Sequence, residues 1–198
     1  MTERHNQNKQ VVVIAGPAGS GKDTIVRGVM EHIPGATLMV TATTRQKRPG
    51  EVDGVNYHYL TNAEFLAELN AGNILEHYHR KETDTYYGTY KKDIDARLKT
   101  GNIMFAVIQI VGAKYLKEHY DALTLFVMPP SPEAFEHRIR SRAPMTDLEW
   151  QERLAHTKRE IEEDAPWYDY RITNEDGKLD DAVTQVLTIL KNEGFSAI

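Results

Sequence analysis

The residues whose types and spacing carry the clearest chemistry are Gly16, Gly19, Gly21 and Lys22, set in the run VVVIAGPAGSGKDT from Val11 to Thr24. Its apolar, β-branched start reads as a buried strand that breaks into a glycine-rich turn. Glycine lets the backbone bend until successive N–H groups point inward at an anion. A helix after Gly21 would add the positive end of its dipole, and Lys22 a point charge for the outer phosphates of a nucleotide. The run matches G-x-x-x-x-G-K-S/T except at the last position. Asp23 stands there in place of the usual magnesium-binding hydroxyl, and Thr24 follows. Gly16, Pro17, Ala18, Gly19, Ser20, Gly21, Lys22, Asp23 and Thr24 therefore form the candidate nucleotide loop.

Positioning such a loop requires a strand before it and a helix after it, and the rest of the chain continues that alternation. Helical pattern is expected over 24–32, 62–70, 91–100, 131–142, 146–164 and 179–190, with Asn62 as N-cap of the second of these. Strand pattern is expected over 36–40, 74–78, 102–110 and 123–128, and in the short YRIT segment. Residues 41–60, rich in Thr, Arg, Pro and Gly, end in the β-like VNYHYL. Alternation of this kind predicts an α/β fold with a parallel central sheet covered by helices on both faces, and an inserted mixed segment near 41–90 over the nucleotide edge.

Composition bounds the possibilities. With 198 residues, 40% of them hydrophobic, the chain can bury the core of one domain. No apolar run is long enough to span a bilayer, and the polar start MTERHNQNKQ lacks the apolar segment of a signal peptide, so a cytoplasmic protein without a membrane partner is expected. The absence of cysteine excludes disulfides, thiolate metal sites and cysteine nucleophiles. A formal charge of −5 and a pI near 5.9 argue against nucleic acid as a partner.

Five segments in order, GPAGSGKDT, VTATTRQKRPGEVDGVNYHYL, ILEHYHRKETDTYYGT, VMPPSPEAFEHRIRSR and YDYRITNEDGKL, span nearly the whole chain, and together it resembles the guanylate kinase family. The resemblance implies a P-loop nucleoside monophosphate kinase fold that moves the terminal phosphoryl of ATP onto GMP with Mg2+. It implies a core (11–40, 91–130 and 165–198), a GMP-binding region (41–90) and a lid with flanking helices (131–164), in a monomer or homodimer.

The residues support that chemistry. Arg45 and Arg48, three apart between glycine and proline, can converge two guanidinium forks on one phosphate monoester, and Tyr57 and Tyr87 can add hydroxyls. The family pattern puts these four on the GMP phosphate, and implies a catalytic part for Arg45 as well. Glu76 matches the family's guanine-reading acid, with Thr41 and Thr89, next to Gly88, at its hydroxyl positions. One carboxylate can accept both the N1–H and the exocyclic amine of guanine, whereas adenine presents an acceptor at N1. Phosphoryl transfer rewards positioned cations, because charge spreads over the moving group in the transition state. By resemblance Arg142 and Arg153 bridge donor and acceptor phosphates, while Arg138 contacts ATP and Asn174 lies near its adenine. Arg140, Arg159 and the acidic run 160–164 read as solvated helix faces, and His77 and His79 as surface or packing residues.

Two departures stand out. Relatives carry Ser or Thr at the position of Asp23, and a strand resembling IDVQGA where this chain reads VIQIVGA, so Val107 and Gln109 occupy places of expected carboxylates. Asp23 is accordingly the candidate magnesium-site carboxylate. A GKD loop without the strand acid also resembles the ribose 1,5-bisphosphate kinases, and an inactive guanylate-kinase-like binding module is a further alternative.

Overall fold

The computed structural model describes residues 9–129, 131–141 and 146–195. Its centre is a five-stranded, fully parallel sheet of β1 (Val11–Ala15), β2 (Thr37–Leu38), β7 (Met104–Ala106), β8 (Leu123–Met128) and β9 (Tyr170–Thr173), ordered β2-β7-β1-β8-β9. Strand β1 lies in the middle, and every residue in it is buried, which is why it reads as an unbroken apolar run. Alternation divides its side chains between two cores. Val12 and Ile14 join Ile25 and Val29 of helix α1 (Lys22–Glu31) and Val186 and Leu190 of α7 (Leu179–Asn192). Val11, Val13 and Ala15 join Ile94 of α3 (Lys91–Leu98) and Ala113 and Leu116 of α4 (Ile110–Tyr120) on the opposite face.

A second, mixed sheet is inserted between β2 and α3. It contains β3 (Ala42–Thr43), β4 (His58–Tyr59), β5 (Ile74–Arg80) and β6 (Thr85–Tyr90) in the order β4-β3-β6-β5. Ala42, Phe65 and Ile74 form its small core, with Phe65 supplied by α2 (Asn62–Asn70). The cap of α2 is Thr61 rather than Asn62. The Thr61 hydroxyl accepts the Glu64 N–H while Glu64 returns to the Thr61 N–H, a reciprocal pair that Asn62, one residue inside the helix, cannot make. Helices α5 (Pro132–Arg140) and α6 (Asp147–Arg159) pack through Phe135, Ile139 and Trp150.

The expected strand over 102–110 is shorter than its apolar run. Strand pairing covers Met104–Ala106, and Ile110 opens α4, which the sequence reading did not separate. No element was expected over 111–120; there Ala113 and Leu116, three apart, are fully buried against the sheet while Val111, Lys114 and Glu118 are exposed, the one-sided burial of a surface helix. The strand expected over 36–40 likewise pairs only at Thr37–Leu38, since the chain leaves the core sheet there to enter the insertion.

Candidate active site

The glycine loop joins the C-terminal end of β1 to the N-terminus of α1. Gly21, the residue before the helix, has φ +86°, and a Cβ on it would fall 2.1 Å from Asn174 Nδ2, so both conformation and space require glycine. Asn174, buried beyond β9, donates from Nδ2 to the Ser20 carbonyl at 2.8 Å. Arg138 of α5 donates to the Asn174 carbonyl at 2.8 Å, pairs with Asp176, and reaches the Ser20 carbonyl at 3.5 Å. The two residues expected to contact ATP thus brace the back of the loop. Pro17 and Gly19 are buried with Ser20, while Ala18, Asp23 and Thr24 are exposed.

In front of the loop opens a cleft of about 810 Å³ whose lining includes Gly16, Lys22, Gln109, Arg153, Glu160 and Asp164. Lys22 begins α1 with its side chain 20% exposed, 4.0 Å from Asp23 Oδ2. The acidic run 160–164 is the solvated face expected from sequence only at Glu162 and Glu163, which are exposed. It forms a π-helical turn that carries Glu160 into the cleft, where burial pushes its carboxyl up against the pull of His156 at 3.3 Å. Arg153 is brought to the same cleft as Lys22, whereas Arg142 lies outside the described residues. Arg140 matches its expected role, paired with Glu136 and Asp147 and lying over the Trp150 ring.

A second cluster of functional side chains is built on the inserted sheet. Arg45 lies 5.4 Å from the Tyr57 ring centre and 5.8 Å from that of Tyr59, and Tyr57 meets Tyr87 edge-on at 6.1 Å. Glu51 organises this group. It takes the Arg45 guanidinium, the Arg48 N–H at 2.7 Å and the Tyr59 hydroxyl at 2.8 Å. The Arg45 hydrogen bond, followed by that of Arg48, holds the Glu51 carboxyl at about 2. The sequence reading assigned no role to Glu51 or Tyr59, although both lie in the quoted RPGEVDGVNYHYL segment. The Arg48 side chain is exposed at the cluster's rim.

Glu76 sits where the β5–β6 ladder slips. Ile74 pairs with Tyr90 but His77 pairs with Gly88, so one extra residue bulges from β5 and re-aims the side chain beside it. The Thr89 hydroxyl donates to Glu76 Oε1 at 2.6 Å. Gly112, in the first turn of α4, leaves room for the pair: a Cβ on it would lie 3.2 Å from Glu76 Oε1 and 3.5 Å from Thr89 Oγ1. Gly88 is as closely hemmed in, by Ile74 and Phe65. Thr41 stands at the entry to this sheet, its carbonyl accepting the His58 N–H at 2.9 Å. His79 stacks on Tyr86 at 4.0 Å, in keeping with a packing role.

For a magnesium ion brought in by a polyphosphate, the oxygen donors around Lys22 are Asp23 and Thr24 next to it in the chain and, in the cleft lining, the Gln109 amide and the Glu160 and Asp164 carboxylates, hard donors that suit this cation. Among the described residues no group of three or more His, Asp or Glu converges to hold a metal without such a ligand.

A glycine loop at the end of a parallel strand, a lysine at the head of the next helix and a separate arginine–tyrosine cluster on an inserted sheet are the parts of a P-loop phosphotransferase. The family model described as guanylate kinase matches residues 8–193, and the chain belongs to the guanylate kinase family. It is 37% identical over 186 residues to a guanylate kinase of Salinibacter ruber, covering 93% of this chain and 96% of the relative. It is 36% identical over 195 residues to a guanylate kinase of Clostridium perfringens, covering 98% and 88%. A crystal structure of guanylate kinase from Anaplasma phagocytophilum superposes with a TM-score of 0.70 at 26% identity, covering 96% of this chain and 89% of that one. The protein is therefore a kinase with the fold expected from its sequence, and no helix among the described residues is long and apolar enough to cross a membrane.

Proposed function

We propose that this chain transfers the γ-phosphoryl of ATP to GMP, giving ADP and GDP. The observation that supports the acceptor assignment is Glu76, set at a bulge and held by Thr89, which stands two residues along β6 from Tyr87 of the Arg45–Tyr57 cluster. A carboxylate braced in this way fits a purine nucleoside monophosphate with two adjacent donors on its Watson–Crick edge.

In the reaction, an oxygen of the GMP phosphate forms a bond to the γ-phosphorus of ATP as the bond from that phosphorus to the β,γ-bridging oxygen breaks. ADP leaves with the electron pair of that bond. Backbone N–H groups of the glycine loop, to which Pro17 contributes none, cradle the donor phosphates, and Lys22 supplies charge beside them. Arg45, Arg48, Tyr57 and Tyr87 orient the acceptor phosphate, while Arg153, with Arg142 by family resemblance, offsets charge on the moving group. Asp23 would help to hold a magnesium ion that arrives with ATP, and that ion would supply charge neutralisation on the donor side.

Residues 11–40, 91–130 and 165–198 act as the core, 41–90 as the GMP-binding region and 131–164 as the lid and its flanking helices, closing to exclude water. A cytoplasmic site of action accords with these nucleotide substrates. The test is a magnesium-dependent ATP-consumption assay with GMP, AMP, UMP and ribose 1,5-bisphosphate as acceptors. ADP and GDP formed together, with little response to the others, is the expected result; turnover with the sugar phosphate alone would overturn it.

A further inference from the structure

Residues 41–90 leave the core after β2 and return at α3, so the inserted sheet joins the core through two chain crossings, at Val40–Thr41 and Tyr90–Lys91. Asp93, in the first turn of α3, reaches from one crossing to the other. Its Oδ2 accepts the Val40 N–H at 2.9 Å, and its Oδ1 accepts His58 Nε2, from β4, at 2.9 Å. Arg97, one turn along α3, donates from Nε to Oδ2 at 2.6 Å and from Nη2 to Oδ1 at 3.0 Å. The carboxylate is 6% exposed, and four N–H groups fill it. Burial raises the Asp93 carboxyl, but the hydrogen bonds from His58, Arg97 and Val40 together hold it below its ordinary value.

A buried ionic cluster is a weak source of net stability, because desolvation offsets much of the attraction, whereas its directional bonds fix relative placement. What it places here is β4. The His58 ring points to the root of the sheet and meets Tyr90 edge-on at 5.1 Å, while Tyr57 and Tyr59, one residue to either side, face Arg45. A shift of β4 at its root therefore moves both rings of the phosphate pocket.

We propose that Asp93 is a positioning residue for the acceptor: by joining the two crossings and anchoring His58, it sets where Tyr57 and Tyr59 stand relative to Arg45. This rests on the reading of that pocket as the site of the GMP phosphate. Nothing in the sequence motifs singled out Asp93 or His58, and neither touches the expected substrate positions.

The test uses the full chain with His58→Leu, His58→Gln and Asp93→Asn. Leu removes the donor to Asp93 at similar bulk, and Gln restores a side-chain N–H. His58→Leu is expected to raise KM for GMP about tenfold while kcat and KM for ATP stay within about twofold, with His58→Gln recovering most of the loss. An unchanged KM for GMP, a uniform fall in all constants, or Gln no better than Leu would overturn the proposal. Amide hydrogen exchange without substrate supplies an independent reading. Faster exchange at Val40 and through residues 41–60 in Asp93→Asn, with β8 unaltered, is expected, and unaltered exchange at Val40 would overturn the junction. If the parent protein fails to turn over GMP, the acceptor reading falls, and exchange alone decides whether Asp93 joins the two crossings.

Discussion

Arg45 and Glu51 form a forked ion pair in the phosphate pocket: Arg45 Nη2 lies 2.7 Å from one carboxylate oxygen of Glu51 and 3.0 Å from the other. The same carboxylate takes the Arg48 backbone N–H and the Tyr59 hydroxyl, so one acid fixes the Arg45 guanidinium, the backbone at Arg48 and the Tyr59 ring relative to one another. The pair holds the guanidinium on the face of Tyr57 in advance of substrate, which lowers the ordering cost of binding.

Glu51→Gln should loosen this arrangement without altering the donor site. The expected outcome in initial-rate kinetics is a rise of about tenfold in KM for GMP, with KM for ATP within about twofold of the parent. A change confined to ATP would place the role of Glu51 elsewhere.

The same contact has a pH signature. The Glu51 carboxyl, ordinarily at 4.5, is held at about 2 in the folded protein by Arg45 first and Arg48 second. A depressed folded value means that the unfolded chain takes up the proton more readily. The pair's stabilisation is therefore complete above pH 4.5, shrinks as pH falls through this window, and is gone below about pH 2. Urea midpoints followed from neutrality into this acid range should fall more gently for Glu51→Gln than for the parent. Parallel curves would remove Glu51 from the acid response.

Glu76→Gln tests base reading. The amide offers one acceptor oxygen and turns a donor toward the guanine donors, so kcat/KM for GMP should fall by an amount equivalent to about 1–3 kcal/mol, roughly fivefold to more than a hundredfold. Competition between GMP and AMP should narrow in proportion. Retained discrimination would shift base selection to Thr41, Thr89 or the Gln109 edge.

Asp23→Asn tests the metal assignment at the donor loop. Asp23 is 63% exposed at the head of α1, free to turn toward a phosphate-bound cation. Turnover should fall by about a hundredfold, and the magnesium concentration for half-maximal rate should rise. Full activity at the parent's magnesium requirement would assign the cation to other donors.

Local sequence was enough for the elements whose chemistry is contiguous. The glycine loop specifies itself, because strand, turn, lysine and helix follow one another within Val11–Thr24 and the interacting groups are backbone N–H groups of neighbouring residues. Strands β8 and β9 were legible over 123–128 and 170–173, as short apolar or β-branched runs bounded by turn residues. Ordered motifs carried the family and hence the fold and kinase class, since those depend on residue type at fixed spacing.

Tertiary structure decided what depends on partners distant in the chain. Helix α4 begins at Ile110, the last residue of the run that reads as strand, because Ala113 and Leu116 beyond it have a sheet face to cover. Glu76 points at Thr89 because the ladder bulges between strands, which no pattern within β5 encodes. Asn174 grips the Ser20 carbonyl across 154 positions, and Asp93 reaches the Val40 N–H across 53. Side-chain type alone says that such groups must find hydrogen-bond partners when buried; only the closed fold says which partners those are.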